Sequence, residues 1–398
     1  MIAAFFDSIP AMILTTGILV GASAALLGSF LVLRGNAMLT DAISHSIVFG
    51  IIIVWLLTRQ LSGPVQLLGA AATGVLTVVL SEALARSRLV KMDAAIGLVF
   101  PALFAAGVLL ISLYARDVHL HAESVLLGEI GFVWMHNIPL AGLQVPVAVA
   151  TLAAVLLINA VFVLAFWKEL KLASFDPGLA AALGFLPGVL HYALLTLTSV
   201  TAVASFDAVG AILFIAFVIV PPATAYLLTR RLWLMVVLSV ALATAACIAG
   251  YSLAVLWNVS IGGMMASMTG VWFTLALLFA PGRGLFAQAL RRREQRLDHD
   301  CRALVAHLFT HQDRPEMPEE NTLHALIEHL GWPEPRARAA VLRAHDRALV
   351  ERRAGLLILR AKGLAEAEAI FGRSQLRPLK PSPAKSLSTG LESGPPRA

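Results

Sequence analysis

Long apolar runs alternate with short polar interruptions up to about residue 281, and the chain then changes character. An apolar helix needs about 20 residues to cross a bilayer. Runs of that kind fall at 10–33, 38–58, 64–85, 94–115, 138–166, 186–204, 207–229, 232–256 and 264–280. The pattern predicts eight or nine transmembrane helices, because "SFD" at 205–207 makes a poor loop and 186–229 admits another division. Small residues recur in the runs, as in "GAAATG" (69–74) and "ALATAACIAG" (241–250), which suits helix backbones in close approach. Pro101, Pro221 and Pro222 inside the runs predict kinks or breaks. The start, "MIAAFFDSIP", lacks a basic n-region, and the run behind it is too long for a signal peptide. Residues 10–33 are therefore expected to remain as the first span.

Past residue 297 the period is that of amphipathic helices. "CRALVAHLF" carries apolar residues at 301, 304, 305, 308 and 309, and "TLHALIEHLGW" carries Leu323, Leu326, Ile327 and Leu330. "PEP" (333–335) reads as a turn, 336–350 as a second helix, and "ERRAGLLILRAKG" as a two-stranded wing. The expected division is a transmembrane domain over 1–283, a basic linker over 284–297, a small domain over 298–372 and a disordered Pro/Ser/Gly-rich tail over 373–398.

Charge sharpens this division. Only 14% of the 398 residues are charged, against about 25% in an average soluble domain. Residues 1–281 hold 10 Lys and Arg and 10 Asp and Glu; residues 282–398 hold 20 and 14, so the second part carries the whole net charge of +6. In a nine-span arrangement with the N-terminus outside, Arg34, Arg86, Arg88, Lys91, Lys168, Lys171, Arg230, Arg231 and Arg291 to Arg293 share one side. Only Arg59 and Arg116 fall opposite, so the basic side and the C-terminus are expected in the cytoplasm. Cys247 and Cys301 lie in different parts and predict no disulfide.

Chemistry concentrates at "LTDAISHSIVFG" (39–50). Asp41 and His45, spaced i and i+4, share a helix face inside an apolar run, where ionisable groups are costly. They could coordinate a divalent first-row metal, hydrogen-bond each other, or, with Thr40 nearby, leave Asp41 to cap its helix. In the outer segment 116–130, His119, His121 and Glu123 fall together by alternation, and an exposed polar loop explains them first. Between spans five and six, Asp176-Pro177-Gly178 starts a short helix ending near Gly184, suited to docking another protein or to anchoring at the interface. No G-x-x-x-x-G-K-[ST] phosphate loop is present, so any ATPase must be a separate chain. An intramembrane metalloenzyme finds no H-E-x-x-H and is not expected to find a second ligand cluster in the spans.

In order, "LVLRGNAMLTDAISHSIVFGI", "DAAIGLVFPALFAAGVLLIS", "VLLGEI", "WKELKLASFDPGLAAALG" and "AVGAILFIAFVIVPPATAYLL" resemble the permease subunits of manganese/zinc/iron ABC importers over residues 10–283. The resemblance implies an all-α polytopic membrane protein of the type II importer kind in a bacterial cell membrane. It implies a transport subunit that is not itself an enzyme and holds no permanent cofactor. Its cargo would be Mn²⁺ ahead of Zn²⁺ or Fe²⁺. The D-A-x-S-H segment of that family supplies the metal site and lands on Asp41 and His45; His119, His121 and Glu123 are a weaker relay candidate. The ATPase-docking segment lands on Leu170 to Pro177, with Leu170, Lys171, Phe175, Asp176 and Pro177, flanked by Glu169 and Gly184. Implied partners are an ABC ATPase, a second permease copy, an extracytoplasmic metal-binding protein and membrane lipid. The topology places Asp41 about one turn inside the cytoplasmic end of span two. Either Arg34-Gly35-Asn36 is a break within the membrane, or the span boundary shifts.

The segment 298–372 looks like the winged-helix, DNA-binding part of iron- and manganese-dependent repressors, with Arg336, Arg338, Arg343 and Arg347 on or beside the second helix. A membrane tether favours docking or regulation over DNA. The alternative function for the whole chain is a membrane-bound metal sensor and transcription regulator.

Overall fold

The computed structural model describes residues 8–59, 64–114, 130–140, 143–312 and 314–372. The expected loop site His119, His121 and Glu123 and the tail 373–398 lie outside the described residues. The chain divides into two compact units, Met1–Ala287 and Gln288–Ala398.

The first unit is helical. Its elements are α1 (Ile9–Leu33), α2 (Ala37–Thr58), α3 (Pro64–Arg86), α4 (Met92–Tyr114), a 3₁₀ turn (Ile130–Met135), strands β1 (Asn137–Leu140) and β2 (Leu143–Pro146), α5 (Val147–Ala165), α6 (Trp167–Phe175), α7 (Pro177–Ala182), the broken helix α8 (Pro187–Leu228), α9 (Leu232–Trp257) and α10 (Ile261–Phe279). Nine segments among the described residues are long and apolar enough to cross a membrane, α8 supplying two.

Two boundaries differ from the sequence reading. The run 138–146 forms an antiparallel hairpin, Ile138 opposite Val145, instead of the start of span five. Pro139 and Pro146 explain this: neither offers an N–H to a helix, and α5 starts only after Pro146. The break between spans six and seven falls at Gly210 (φ 76, ψ 168), past "SFD", in a conformation that only glycine adopts without strain. Pro221 and Pro222 lie within the helical stretch that follows.

Helix α1 is the hub of this unit, packed by α8, α9 and α5, with Leu27, Phe30 and Leu31 fully buried. Buried polar pairs tie the hub and its neighbours. Ser29 Oγ donates to Ser239 Oγ of α9 at 3.1 Å, and Asn159 Nδ2 of α5 donates to Thr201 Oγ1 of α8 at 2.9 Å. The backbones of α1 and α8 meet at Gly28, where a Cβ would stand 2.0 Å from the Val218 carbonyl oxygen.

The second unit takes up a long helix, α11 (Leu285–His311), which also contains most of the basic stretch 284–297. It continues through α12 (Met317–Glu320), α13 (Leu323–His329), α14 (Glu334–Asp346), the hairpin β3 (Val350–Arg353) and β4 (Leu356–Leu359), and α15 (Ala361–Phe371). Leu304, Val305, Leu308, Leu326, Ala337, Ala340 and Leu357 form its core. The "PEP" stretch is not a turn. Glu334 and Pro335 open α14, where proline is tolerated in the first turn, and the chain bends at Gly331 (φ +61) instead. Helix α14 ends at Asp346, short of the 336–350 expected. Ala354 and Gly355 both have positive φ, as a two-residue hairpin turn requires.

Gly28→Ala should lower thermal stability in detergent by about 1–3 kcal/mol, because a backbone carbonyl has no room to yield. Gly97→Ala, whose Cβ would meet nothing within 4 Å, serves as the matched control and should leave the melting temperature unchanged.

Candidate metal site and coupling face

Asp41 is the fifth residue of α2, about 6 Å along the axis from Ala37. Asn36 holds the N-cap position, so Asp41 does not cap the helix. His45 Nε2 lies 3.4 Å from Asp41 Oδ1, which puts the two side chains together on one face. Helix α4 clamps the imidazole. Phe100 stacks on it at 5.7 Å between ring centroids, and Phe104 meets it edge-on at 6.3 Å. The clamp depends on a close approach: a Cβ on Gly107 would stand 2.9 Å from the Phe49 amide, one turn along α2 from His45. Asp41 and His45 nevertheless keep 38% and 34% of their side-chain surface uncovered.

The start of α2 agrees with the expected span to within a residue. The Arg34–Asn36 turn before it is not a free loop. Arg34 Nε donates to Ser174 Oγ of α6 at 3.0 Å, which ties α6 to the end of α1.

Residues 167–184 form two short helices. Leu170 is fully buried and Glu169 half-buried, while Lys171, Phe175, Asp176, Pro177 and Gly184 are exposed. Asp176 caps α7 by accepting from the Leu179 amide at 2.9 Å, with Pro177 in the first turn. Gly184 (φ +86) ends it. Phe175, Leu179 and Leu183 remain exposed and give this face an apolar ridge.

A polar cluster in the spans went unforeseen, although it holds only two residues of ligating type, Glu82 and His191. Glu82 of α3 accepts from Tyr192 Oη at 2.6 Å and faces His191 Nε2 at 2.9 Å, both on α8. Arg86 Nη2 donates to the same carboxylate at 3.2 Å. The cluster opens into a cleft of about 460 Å³ that Arg34, Asn36, Ser174 and Pro177 also line. The signal that could have found Glu82 and His191 is that each is an ionisable residue in an apolar run. Their meeting across 109 positions left no such signal.

In the second unit, Arg336 makes a two-pronged contact with Asp300, at 2.7 and 3.0 Å. Arg347 pairs with Asp298, and Arg338 pairs with Glu334 on its own helix. Arg343 is partly buried, and its Nε is buried without a hydrogen-bond partner.

Known proteins place this arrangement. The profile of the ABC 3 transport family matches residues 8–280. "Zinc transport system membrane protein TroD" of Treponema pallidum (strain Nichols) is 43% identical over 352 residues, covering 88% of this chain and 96% of that protein. An alignment of that length cannot fit within residues 1–287, so it continues into the second unit. "Manganese transport system membrane protein MntD" of Bacillus subtilis (strain 168) is 48% identical over 285 residues, 71% of this chain and 96% of that protein. Among solved structures, PsaBC from Streptococcus pneumoniae in complex with Fab matches with a TM-score of 0.57 and 28% identity, over 71% of this chain and 98% of that one. Family profile, curated relatives and fold agree: the chain is a membrane-spanning transport component and belongs to the ABC 3 transport family.

Proposed function

We propose that the chain is the permease subunit of an ATP-driven importer of a divalent transition metal, with Mn²⁺ ahead of Zn²⁺ or Fe²⁺. The observation that carries the metal path is the Asp41–His45 pair, which is held on one helix face and left one-third exposed. A carboxylate turned to lipid costs about 2.5–3.5 kcal/mol on insertion scales. The exposed face therefore looks onto a polar path, and a second permease copy closes that path by bringing its own pair opposite. One carboxylate oxygen and one imidazole nitrogen per copy suit a hard or borderline divalent ion. The cargo named for two relatives, zinc for one and manganese for the other, is of this class.

The chain has no phosphate loop, so ATP is hydrolysed on a partner ATPase. The apolar ridge of Phe175, Leu179 and Leu183 is the docking face for that partner. Rocking of α6 and α7 reaches the start of α2 through the Arg34–Ser174 hydrogen bond and the cleft around Glu82. With basic residues gathered on that side, the N-terminus is outside and the second unit cytoplasmic. An extracytoplasmic binding protein delivers the ion on the opposite face.

The second unit works as a regulatory or docking module on the cytoplasmic side. Its helix–turn–basic helix–hairpin order is that of a winged helix, but the engagement of Arg336 and Arg347 by Asp300 and Asp298 disfavours DNA as its ligand.

Asp41→Ala and His45→Ala should each abolish metal uptake by reconstituted vesicles while the permease still co-purifies with its ATPase; wild-type uptake by either variant would sink the site assignment. Leu183→Asp, at an exposed position, should weaken retention of the ATPase at least about tenfold, or 1.4 kcal/mol. If binding of the ATPase to that variant is unchanged, the ridge is not the docking face.

A further inference from the structure

The second unit holds a cluster of ligating side chains that the transport path does not use. His307 comes from the last turn but one of α11, Glu320 ends α12 and His329 ends α13. One ligand atom from each lies within 4.8 Å of the other two. Glu320 Oε2 stands between the imidazoles, 2.6 Å from His329 Nδ1 and 3.9 Å from His307 Nε2. The approach to His329 is an ion-pair contact, and Glu320 Oε2 is buried with no hydrogen bond. His307 Nε2 donates a long hydrogen bond, 3.2 Å, to the Glu320 backbone oxygen.

The surroundings share this deficit. His311, one turn beyond His307 with its ring 4.9 Å away, has a buried Nδ1 without a partner. Gln312 Oε1 and Asn321 Oδ1 are likewise buried and unpaired. Each such group is costly if nothing satisfies it. Four of the buried atoms without a hydrogen bond among the described residues thus fall in 311–312 and 320–321, one of them on the ligand Glu320 and one on its sequence neighbour. An ordinary salt bridge would leave no such concentration.

We propose that His307, Glu320 and His329 bind a divalent first-row metal, with Zn²⁺ the best fit. Two imidazoles and one carboxylate are a recurrent zinc donor set that leaves a fourth position for water. Zinc ligands about 2.0–2.1 Å from the ion stand roughly 3.4 Å apart. Glu320 and His329 would separate slightly and His307 would close in. The ion replaces the weak His307–carbonyl hydrogen bond, and the ring proton moves to Nδ1. Burial holds the His307 imidazolium below its ordinary pKa, which favours the neutral, ligating ring. The site ties α11, α12 and α13 together and is independent of Asp41 and His45.

The test uses the full-length protein in detergent, stripped with chelator and carrying Asp41→Ala and His45→Ala so that the path cannot contribute. Zn²⁺ is titrated against a chromogenic chelator, and Co²⁺ is followed by its visible absorption. One equivalent of Zn²⁺ per chain should bind. Adding His329→Ala, at a half-exposed position, or the isosteric Glu320→Gln should weaken binding at least about tenfold and remove the Co²⁺ band, with unchanged circular dichroism. Absence of binding in the background variant, or binding unaffected by both further substitutions, overturns the proposal. Neither result bears on uptake through Asp41 and His45, which the vesicle assay reads separately.

Discussion

An ionisable pair within an apolar span is expensive, and much of the transmembrane unit can be understood as a means of lowering that cost without removing it. Asp41 and His45 face each other at 3.4 Å, and two phenylalanine rings cover the imidazole. The rings reach it only because Gly107 lets the α4 backbone close on α2. Thr40 and Ser44, on the same stretch, are buried. What remains uncovered, about a third of each side chain, is a polar surface that lipid will not tolerate. A fully buried pair would be a structural staple; a partly open one needs something polar beyond it.

The same constraint accounts for the placement of the coupling helices. A site one turn from the end of a span lies close to water unless that end is covered. Helix α6 lies against the end of α1, with Leu170 fully buried and Ser174 holding Arg34. On the proposed reading, a shift of α6 would be felt at the Arg34–Asn36 turn that leads into α2.

What the sequence made legible was local. Apolar runs of membrane length located the spans, and an i, i+4 spacing located Asp41 and His45 on one face. Asp176-Pro177-Gly178 located α7, whose cap it forms. What stayed hidden depended on distant partners or on single backbone conformations. The hairpin at 137–146 looked like span because its residues are apolar, and only two prolines opposed the helix. Gly210 resembled any other small residue in a span. Glu82 and His191 each looked solitary. Counting arginines in the second unit suggested a bare basic face, whereas Asp298 and Asp300, on the preceding long helix, neutralise two of them.

The two units handle charge in opposite ways, and this gives Glu320 its meaning. The transmembrane unit has few charges. The second part of the chain, with 20 Lys and Arg in residues 282–398, has guanidinium groups in abundance. Its best-shielded paired carboxylate, Asp300, takes a two-pronged arginine, the geometry that most fully satisfies a carboxylate. Glu320, half-buried, instead faces two imidazoles and keeps an oxygen with no hydrogen bond. Packing alone would favour an arginine there, because an imidazole loses its charge near neutral pH and then attracts the carboxylate only weakly. A divalent cation completes this set of two imidazoles and one carboxylate, and an arginine does not.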